Sequence, residues 1–228
     1  FSIYDLVPAY DFVQNVVEHH LHEYLKRERT AIASIYIVGG YRGHEIHKLL
    51  SNYPNCHITV FEPSERYKAA LEQRFRDEPR VQVIKAAVSN HVGTATFFET
   101  SLKGSGSLLP VGELAEQSYG AKQAEKFMVE TITLDTKLSG AHLDCLWIDV
   151  QGAEHLVLRG AASSLHNIDA VFLEVSRLPN LYDGGATMKQ LEFELEQHGF
   201  ESILVGLDAG NLTGNAFYIR SPEKLKSA

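Results

Sequence analysis

One stretch restricts the possible folds more than any other. From Ala31 to Pro63 the chain reads as a strand (Ile32 to Val38), a glycine turn (Gly39-Gly40-Tyr41-Arg42-Gly43), a helix (His44 to Ser51) and a second strand (His57 to Phe61) that ends on Glu62-Pro63. A buried strand that runs into a glycine turn and then a helix offers backbone N–H groups to a ligand. An acid at the tip of the next strand is where such folds hold a pair of ribose hydroxyls. Glu62 follows Gly43 by nineteen residues, close to the ~20 that this role calls for. These residues point to an adenosine-type cofactor at the C-terminal edge of a parallel sheet. Strand–glycine–helix units also occur with no ligand, so the remainder of the chain has to decide.

Strands and helices go on alternating. Ser64 to Phe75 reads as a helix with Leu71 and Phe75 inward and Ser64 as its cap. Val81 to Ile84 is a short strand leading into Ala86-Ala87-Val88-Ser89, and Thr94 to Phe98 is a strand after the turn at Gly93. Met128 to Leu134 alternates like a strand and ends on Asp135. Leu143 to Val150 is a nearly continuous apolar strand with Asp149 at its tip, and a helix from Ala153 to Leu165 follows. Ala170 to Leu173 is a further buried strand ending on Glu174, and Thr187 to His198 is an amphipathic helix closed by Gly199. Phe200 to Val205 and Ala216 to Ile219 can pair antiparallel across the turn residues between them. The pattern predicts an α/β fold with a doubly wound, mostly parallel sheet and an antiparallel last strand.

Residues 1–30 are expected to form an N-terminal helical arm, apolar from Phe1 to Ala9 and helical from Asp11, ahead of a sheet domain spanning 31–221. Thr100 to Ala124 is polar, contains glycine and is the longest irregular segment, so it reads as a lid. The net charge of −8 argues against a nucleic-acid surface, which needs clustered Lys and Arg. Cys56 and Cys145 each precede an apolar run and read as buried free thiols of a reducing compartment. No apolar run approaches the ~20 residues of a membrane span and no signal peptide opens the sequence. A cytoplasmic protein without a membrane partner is expected. His19, His20 and His22 stand on a charged helix with no cysteine beside them; a zinc site wants about four ligands, so they read as solvent-facing.

Four acids end successive predicted strands: Glu62, Asp135, Asp149 and Glu174. In an open parallel sheet such tips converge on one crevice. In Asp149-Val150-Gln151-Gly152-Ala153-Glu154 the glycine permits a tight turn from strand to helix. Glu154 in the first helical turn is either a helix-terminal charge or a carboxylate facing the crevice beside Asp149 and His155.

Leu146 to Glu154, followed by Val157-Leu158-Arg159-Gly160-Ala161, resembles the signature of the FkbM family of S-adenosylmethionine-dependent methyltransferases. Phe61-Glu62-Pro63-Ser64, Ala86-Ala87-Val88-Ser89, Thr133-Leu134-Asp135, Leu173-Glu174-Val175 and His198-Gly199-Phe200 resemble further blocks of that family, in the same order. The likeness runs from about Ile35 to Ile219. It implies a Rossmann-like sheet of the class I methyltransferase type, with S-adenosylmethionine as cofactor. Gly39, Gly40, Tyr41 and Gly43 would approach its methionine end, Glu62 its ribose, Ala87 its adenine, and Asp149 the amino group or the methyl, with Pro63 and Ser64 also among the cofactor-binding residues. The implied chemistry is O-methylation of a hydroxyl on a small-molecule or glycan acceptor. Two positions depart from the family pattern: Ile37 stands where an acid is usual, and Tyr41 where Asn is usual.

For a hydroxyl acceptor a base must take the proton, and Asp149, His155 and Glu174 are the candidates. Acceptor walls are expected from Phe1 to Arg29, Thr100 to Gln123 and Leu178 to Ala186, with Tyr119, Phe127 and Tyr182 as aromatic surfaces. A metal held by Asp149, Glu154 and Glu174 is an alternative way to polarise the acceptor; the reading adopted has none. Two other functions fit parts of the pattern. A non-catalytic binding or scaffolding module would explain Ile37 and Tyr41. A nicotinamide-dependent oxidoreductase would share the strand–glycine–helix–acid layout, but its fingerprint is G-x-G-x-x-G and the turn here is Gly39-x-x-x-Gly43.

Overall fold

A computed structural model describes residues 7–28, 32–208, 210 and 212–221. In chain order its elements are α1 (Val7–Glu28), β1 (Ser34–Val38), α2 (His44–Asn52), β2 (His57–Phe61), α3 (Glu65–Arg74), β3 (Val81–Ile84), β4 (Ala87–Val88), β5 (Gly93–Thr100), α4 (Glu113–Tyr119), β6 (Gln123–Ile132), α5 (Leu134–Leu138), β7 (Leu143–Ile148), α6 (Glu154–Arg159), β8 (Ile168–Ser176), α7 (Met188–Gln197), β9 (Phe200–Leu207) and β10 (Thr213–Arg220).

Seven strands form one sheet in the order β3-β2-β1-β7-β8-β10-β9. β1 pairs in parallel with β2 on one side and β7 on the other, β3 extends β2, and β8 extends β7. β10 runs antiparallel between β8 and β9. Side chains alternate between the two faces, which is why the central strands read as unbroken apolar runs. Ile35, Ile37, Cys145, Trp147 and Phe172 pack with Ile46 and Leu49 of α2, Leu71 of α3, and Val17, Leu21 and Leu25 of α1. Val38, Phe61, Leu146, Ile148 and Leu173 pack on the opposite face against Val157 and Leu158 of α6 and Leu191 and Leu195 of α7. Both cysteines are free and buried in the first of these layers. At the close of α7, Gly199 takes the left-handed conformation (φ 83°) expected of a residue just past a helix end.

The sheet is built outward in two directions from the seam between β1 and β7. Open α/β sheets hold their ligands in the crevice at that switch point, beyond the C-terminal ends of the strands. The antiparallel β10 separates this sheet from the all-parallel six-strand order of dinucleotide-binding enzymes.

Two expectations about strands need correction. β6 does not join the main sheet. It pairs with β4 and β5 in a separate three-stranded sheet, so its end does not face the crevice. Asp135 consequently lies in the first turn of α5, where its Oδ2 accepts the N–H of Ser163. The irregular segment after β5 also has structure of its own: Ser107 bridges back to Phe98, Val111 bridges to Tyr182, and α4 follows. Phe1 to Leu6, and the side chains of Phe12 and Val13, lie outside the described residues. Among the described residues no helix is long and apolar enough to cross a membrane.

Candidate active site

The tip of β1 touches the tip of β7. Gly39 has φ 93°, and a Cβ there would lie 1.8 Å from the carbonyl oxygen of Asp149. A residue with a side chain cannot occupy that position without separating the two strands. Gly40 is packed less tightly: the nearest neighbours of a Cβ there would be the side-chain methyls of Val60 (2.3 Å) and Leu71 (2.9 Å). The chain then takes a left-handed step at Tyr41 (φ 41°) and a second at Gly43 (φ 63°) before α2 begins. Positive φ at an aromatic residue costs ~1 kcal/mol or more, and a hydrogen bond offsets it here: the Tyr41 N–H donates to Glu62 Oε2 at 2.8 Å.

Glu62 is 5% exposed. Its other oxygen accepts the Ser64 N–H at 2.8 Å. Burial lifts its carboxyl to about 7, against the pull of these backbone donors. Each carboxylate oxygen has a second lone pair to offer. Around it is a cavity of about 110 Å³ lined by Val38, Gly39, Tyr41, Phe61, Pro63 and Tyr67 among others; Ala86, Ala87, Val88, Phe97 and Leu108 form its apolar far wall. Tyr67, on α3, meets Tyr41 edge to face with ring centres 4.8 Å apart.

A second cavity, of about 830 Å³, shares Gly39, Tyr41, Gly104 and Asp149 with the first. Asp149 follows the last residue of β7, and its N–H donates to Val38 O. The turn after it is held by Glu154, whose Oε1 accepts the N–H groups of Val150 (3.2 Å) and Gly152 (3.1 Å). Gly152 (φ 91°) lies under the Tyr182 ring. Gln151, at φ 57°, turns its amide into the crevice, where Nε2 donates to Asp149 Oδ1 (2.8 Å) and Glu174 Oε2 (2.7 Å). Tyr182 Oη lies 3.0 Å from both Gln151 Oε1 and Ser105 O. One amide thus gathers two half-buried acids and the covering segment. Burial raises the carboxyls of Asp149 and Glu174 above the usual range, and for Glu174 the neighbouring charges of Asp149 and Glu154 add to it.

The crevice brings together most of the residues expected there. Gly39, Tyr41, Glu62, Pro63, Ala87 and Asp149 line the smaller cavity, while Gly40 and Glu174 line the larger. Three are placed elsewhere. His155 lines neither cavity; it is half-buried on α6, and burial lowers its pKa. Ser64 lines neither: its hydroxyl donates to Glu99 rather than capping α3, and only its N–H serves the site, through Glu62. Gly43 packs behind the turn against Ile46, Leu71 and Phe75. Of the expected acceptor walls, Tyr119, Tyr182 and parts of the segment 102–121 line the larger cavity, whereas Phe127 packs on Phe97 in the side sheet. Among the described residues the side chains close enough to share an ion are His142, Asp144 and Asp169; Asp149, Glu154 and Glu174 do not form such a group, and neither do the histidines of α1. His22 is buried against the Tyr53 hydroxyl (2.7 Å) rather than solvent-facing.

Strand order, the antiparallel penultimate position of β10 and a crevice split between a small cavity with a buried acid and a larger one lined by further acids define the methyltransferase class of α/β fold. The family model of the methyltransferase FkbM domain matches residues 38–202, and the chain belongs to that family. It is 27% identical over 165 residues to the 2-O-methyltransferase NoeI of Sinorhizobium fredii (strain NBRC 101917 / NGR234), covering 68% of this chain and 67% of that protein. Among solved structures it resembles magnesium protoporphyrin IX methyltransferase of Synechocystis PCC 6803, solved with bound SAH, at 10% identity and a TM-score of 0.52 over 91% of this chain and 83% of that one. The fibrillarin/Nop5p complex gives 13% identity and a TM-score of 0.51 over 88% and 79%.

Proposed function

We propose that this methyltransferase uses S-adenosylmethionine to methylate a hydroxyl of a sugar-like or natural-product acceptor. The observation that carries the reading is the pair of cavities joined at Gly39, Tyr41 and Asp149. The smaller suits an adenosine: an apolar slot for a base, and a buried carboxylate with free lone pairs for the ribose hydroxyls. Glu62 would hold the ribose, Pro63 and Ala87 the adenine, and the Gly39–Gly40 backbone the methionine end. When bound, the cofactor supplies an activated methyl on a positively charged sulfur.

The residues at the junction then do two things. They hold an acceptor oxygen in line at ~3 Å from the methyl, and they take its proton. Asp149 and Glu174 suit the second task. Their raised pKa values bring a carboxylate base closer to the operating pH, and Gln151 fixes both. The larger cavity is walled by Trp147, Tyr119, Tyr182, Leu102, Leu181 and Leu212, surfaces on which a sugar face can lie. Its acidic lining is Glu45, Asp149, Glu154, Glu174 and Asp208, set against Lys103. That balance favours neutral or cationic acceptors over phosphorylated or acidic ones. NoeI, a 2-O-methyltransferase by name, supports the O-methyl reading.

The test is transfer of labelled methyl from S-adenosylmethionine to a panel of neutral glycosides, amino sugars, uronic acids and sugar phosphates. Label should enter a neutral or amino member and not an anionic one. A preference for the phosphates, or label on nitrogen or carbon alone, would contradict the reading.

A further inference from the structure

Glu45 is a carboxylate for which the proposed chemistry has no role. It lies in the first turn of α2, two residues past Gly43, and lines the larger cavity together with Gly39, Gly40, Trp147 and Asp149. Its helix is fixed in rotation by Ile46, Leu49 and Leu50, which are buried. Strand β1 brings no acid to this place. Ile37 is wholly buried in the apolar layer with Ile46 and Trp147, and Trp147 is its partner across the β1–β7 pairing. The negative charge at this end of the cavity therefore comes from Glu45 on the helix and Asp149 beyond β7. Burial, then repulsion from Asp149 and Glu18, outweighs the pull of its own backbone N–H and of Arg74 and lifts the Glu45 carboxyl to about 7. Two carboxylates lining one cavity favour a ligand that brings a cation to them.

We infer that Glu45 receives the α-ammonium at the methionine end of the cofactor. This rests on the S-adenosylmethionine reading above. A ligand with its adenosine in the smaller cavity must pass its amino-acid end through the junction at Gly39 and Asp149, into the part of the larger cavity that Glu45 lines. An ammonium has N–H groups to donate to a carboxylate, whereas a sulfonium has none.

Calorimetric titration of wild type and Glu45→Gln at pH 8 tests this with three ligands. S-adenosylmethionine carries both cations, S-adenosylhomocysteine keeps only the ammonium, and 5′-methylthioadenosine has neither. The Kd of the first two should rise about tenfold in the variant while that of the third stays unchanged. The unchanged third ligand also shows that the variant is folded. Equal affinities for all three ligands in both proteins overturn the inference. So does a loss confined to S-adenosylmethionine, which would assign Glu45 to the sulfonium, and so does an equal loss of all three, which would make Glu45 a support of the helix. A wild type that binds none of them overturns the cofactor reading itself.

Discussion

Replacing Glu62 by alanine separates what this residue does for the fold from what it does for the ligand. In the free protein its carboxylate satisfies two N–H groups, of Tyr41 and Ser64, both at 2.8 Å. Orphaning a buried donor costs ~1–3 kcal/mol, and the half-exposed Tyr41 N–H can turn to water, so the two together are worth ~2–4 kcal/mol. Against this stands the penalty of burying the charge. The folded carboxyl titrates near about 7, the unfolded one near 4.5, and each pH unit between them is ~1.4 kcal/mol. A folded pKa above the unfolded one means stability that is fully present below about 4.5 and lost as pH rises through about 7. At pH 8 the penalty is therefore ~3 kcal/mol and nearly cancels the lost bonds; at pH 5 most of it is absent. Glu62→Ala should destabilise the protein by ~2–4 kcal/mol at pH 5 and by close to nothing at pH 8. Urea unfolding of both proteins at the two pH values measures this. At pH 8, where folding is unaffected, the variant's Kd for S-adenosylhomocysteine should still rise by about 10- to 100-fold, through loss of the acceptor for two hydroxyls. A stability difference that is the same at both pH values would refute the argument about burial. Unchanged affinity would refute the ribose assignment.

Other perturbations have equally direct outcomes. Gly39→Ala forces a Cβ into the Asp149 carbonyl at a positive φ; it should cost ~3 kcal/mol or more and abolish cofactor binding, read by thermal melting and calorimetry. Tyr182→Phe removes the hydroxyl shared by Gln151 and Ser105; unfolding should show a loss of ~1 kcal/mol, and kcat should fall about tenfold as the Gln151 amide loosens its hold on Asp149 and Glu174. Because burial, with the neighbouring charges of Asp149 and Glu154 added for Glu174, raises both carboxyls above the usual range, kcat/KM should go on climbing with pH above the range where two ordinary carboxylates would already give a flat profile.

Much of this arrangement was legible because sheet order and strand tips follow from simple patterns. The run from Ala31 to Pro63 reads as buried strand, glycine turn, helix and strand, and Glu62 does follow the last residue of β2. Asp149 was noticed because it breaks an apolar strand where the strand leaves the core; Glu174 breaks its strand too, but β8 runs on past it to Ser176, with Val175 still buried. Asp135 was misplaced for a physical reason: alternation in Met128 to Leu134 identifies a strand but not the sheet it joins, and β6 pairs outside the main sheet. His155 is close to Asp149 in sequence, but the turn at Gln151 and Gly152 starts α6 with Val157 and Leu158 inward and His155 outside both cavities. Tyr67 went unnoticed although it precedes Leu71 and Phe75 at steps of four, the spacing of one helix face. Glu45 looked like an ordinary first-turn acid; the signal that it was more lay in Ile37, an apolar residue where the family usually carries a charge. Gln151 gave no sign at all, since its role depends on a left-handed backbone that only the packing of Tyr182 on Gly152 reveals.

The claim on which the rest depends is that the smaller cavity is an adenosine site. A crystal structure of the protein grown with S-adenosylhomocysteine tests it most directly. The account predicts the adenine between Pro63 and the wall at Ala87 and Phe97, both ribose hydroxyls within hydrogen-bond distance of Glu62, and the amino-acid end passing Gly39 toward Asp149. Adenine density in the larger cavity, or a ribose that leaves Glu62 bonded only to the Tyr41 and Ser64 N–H groups, would contradict it.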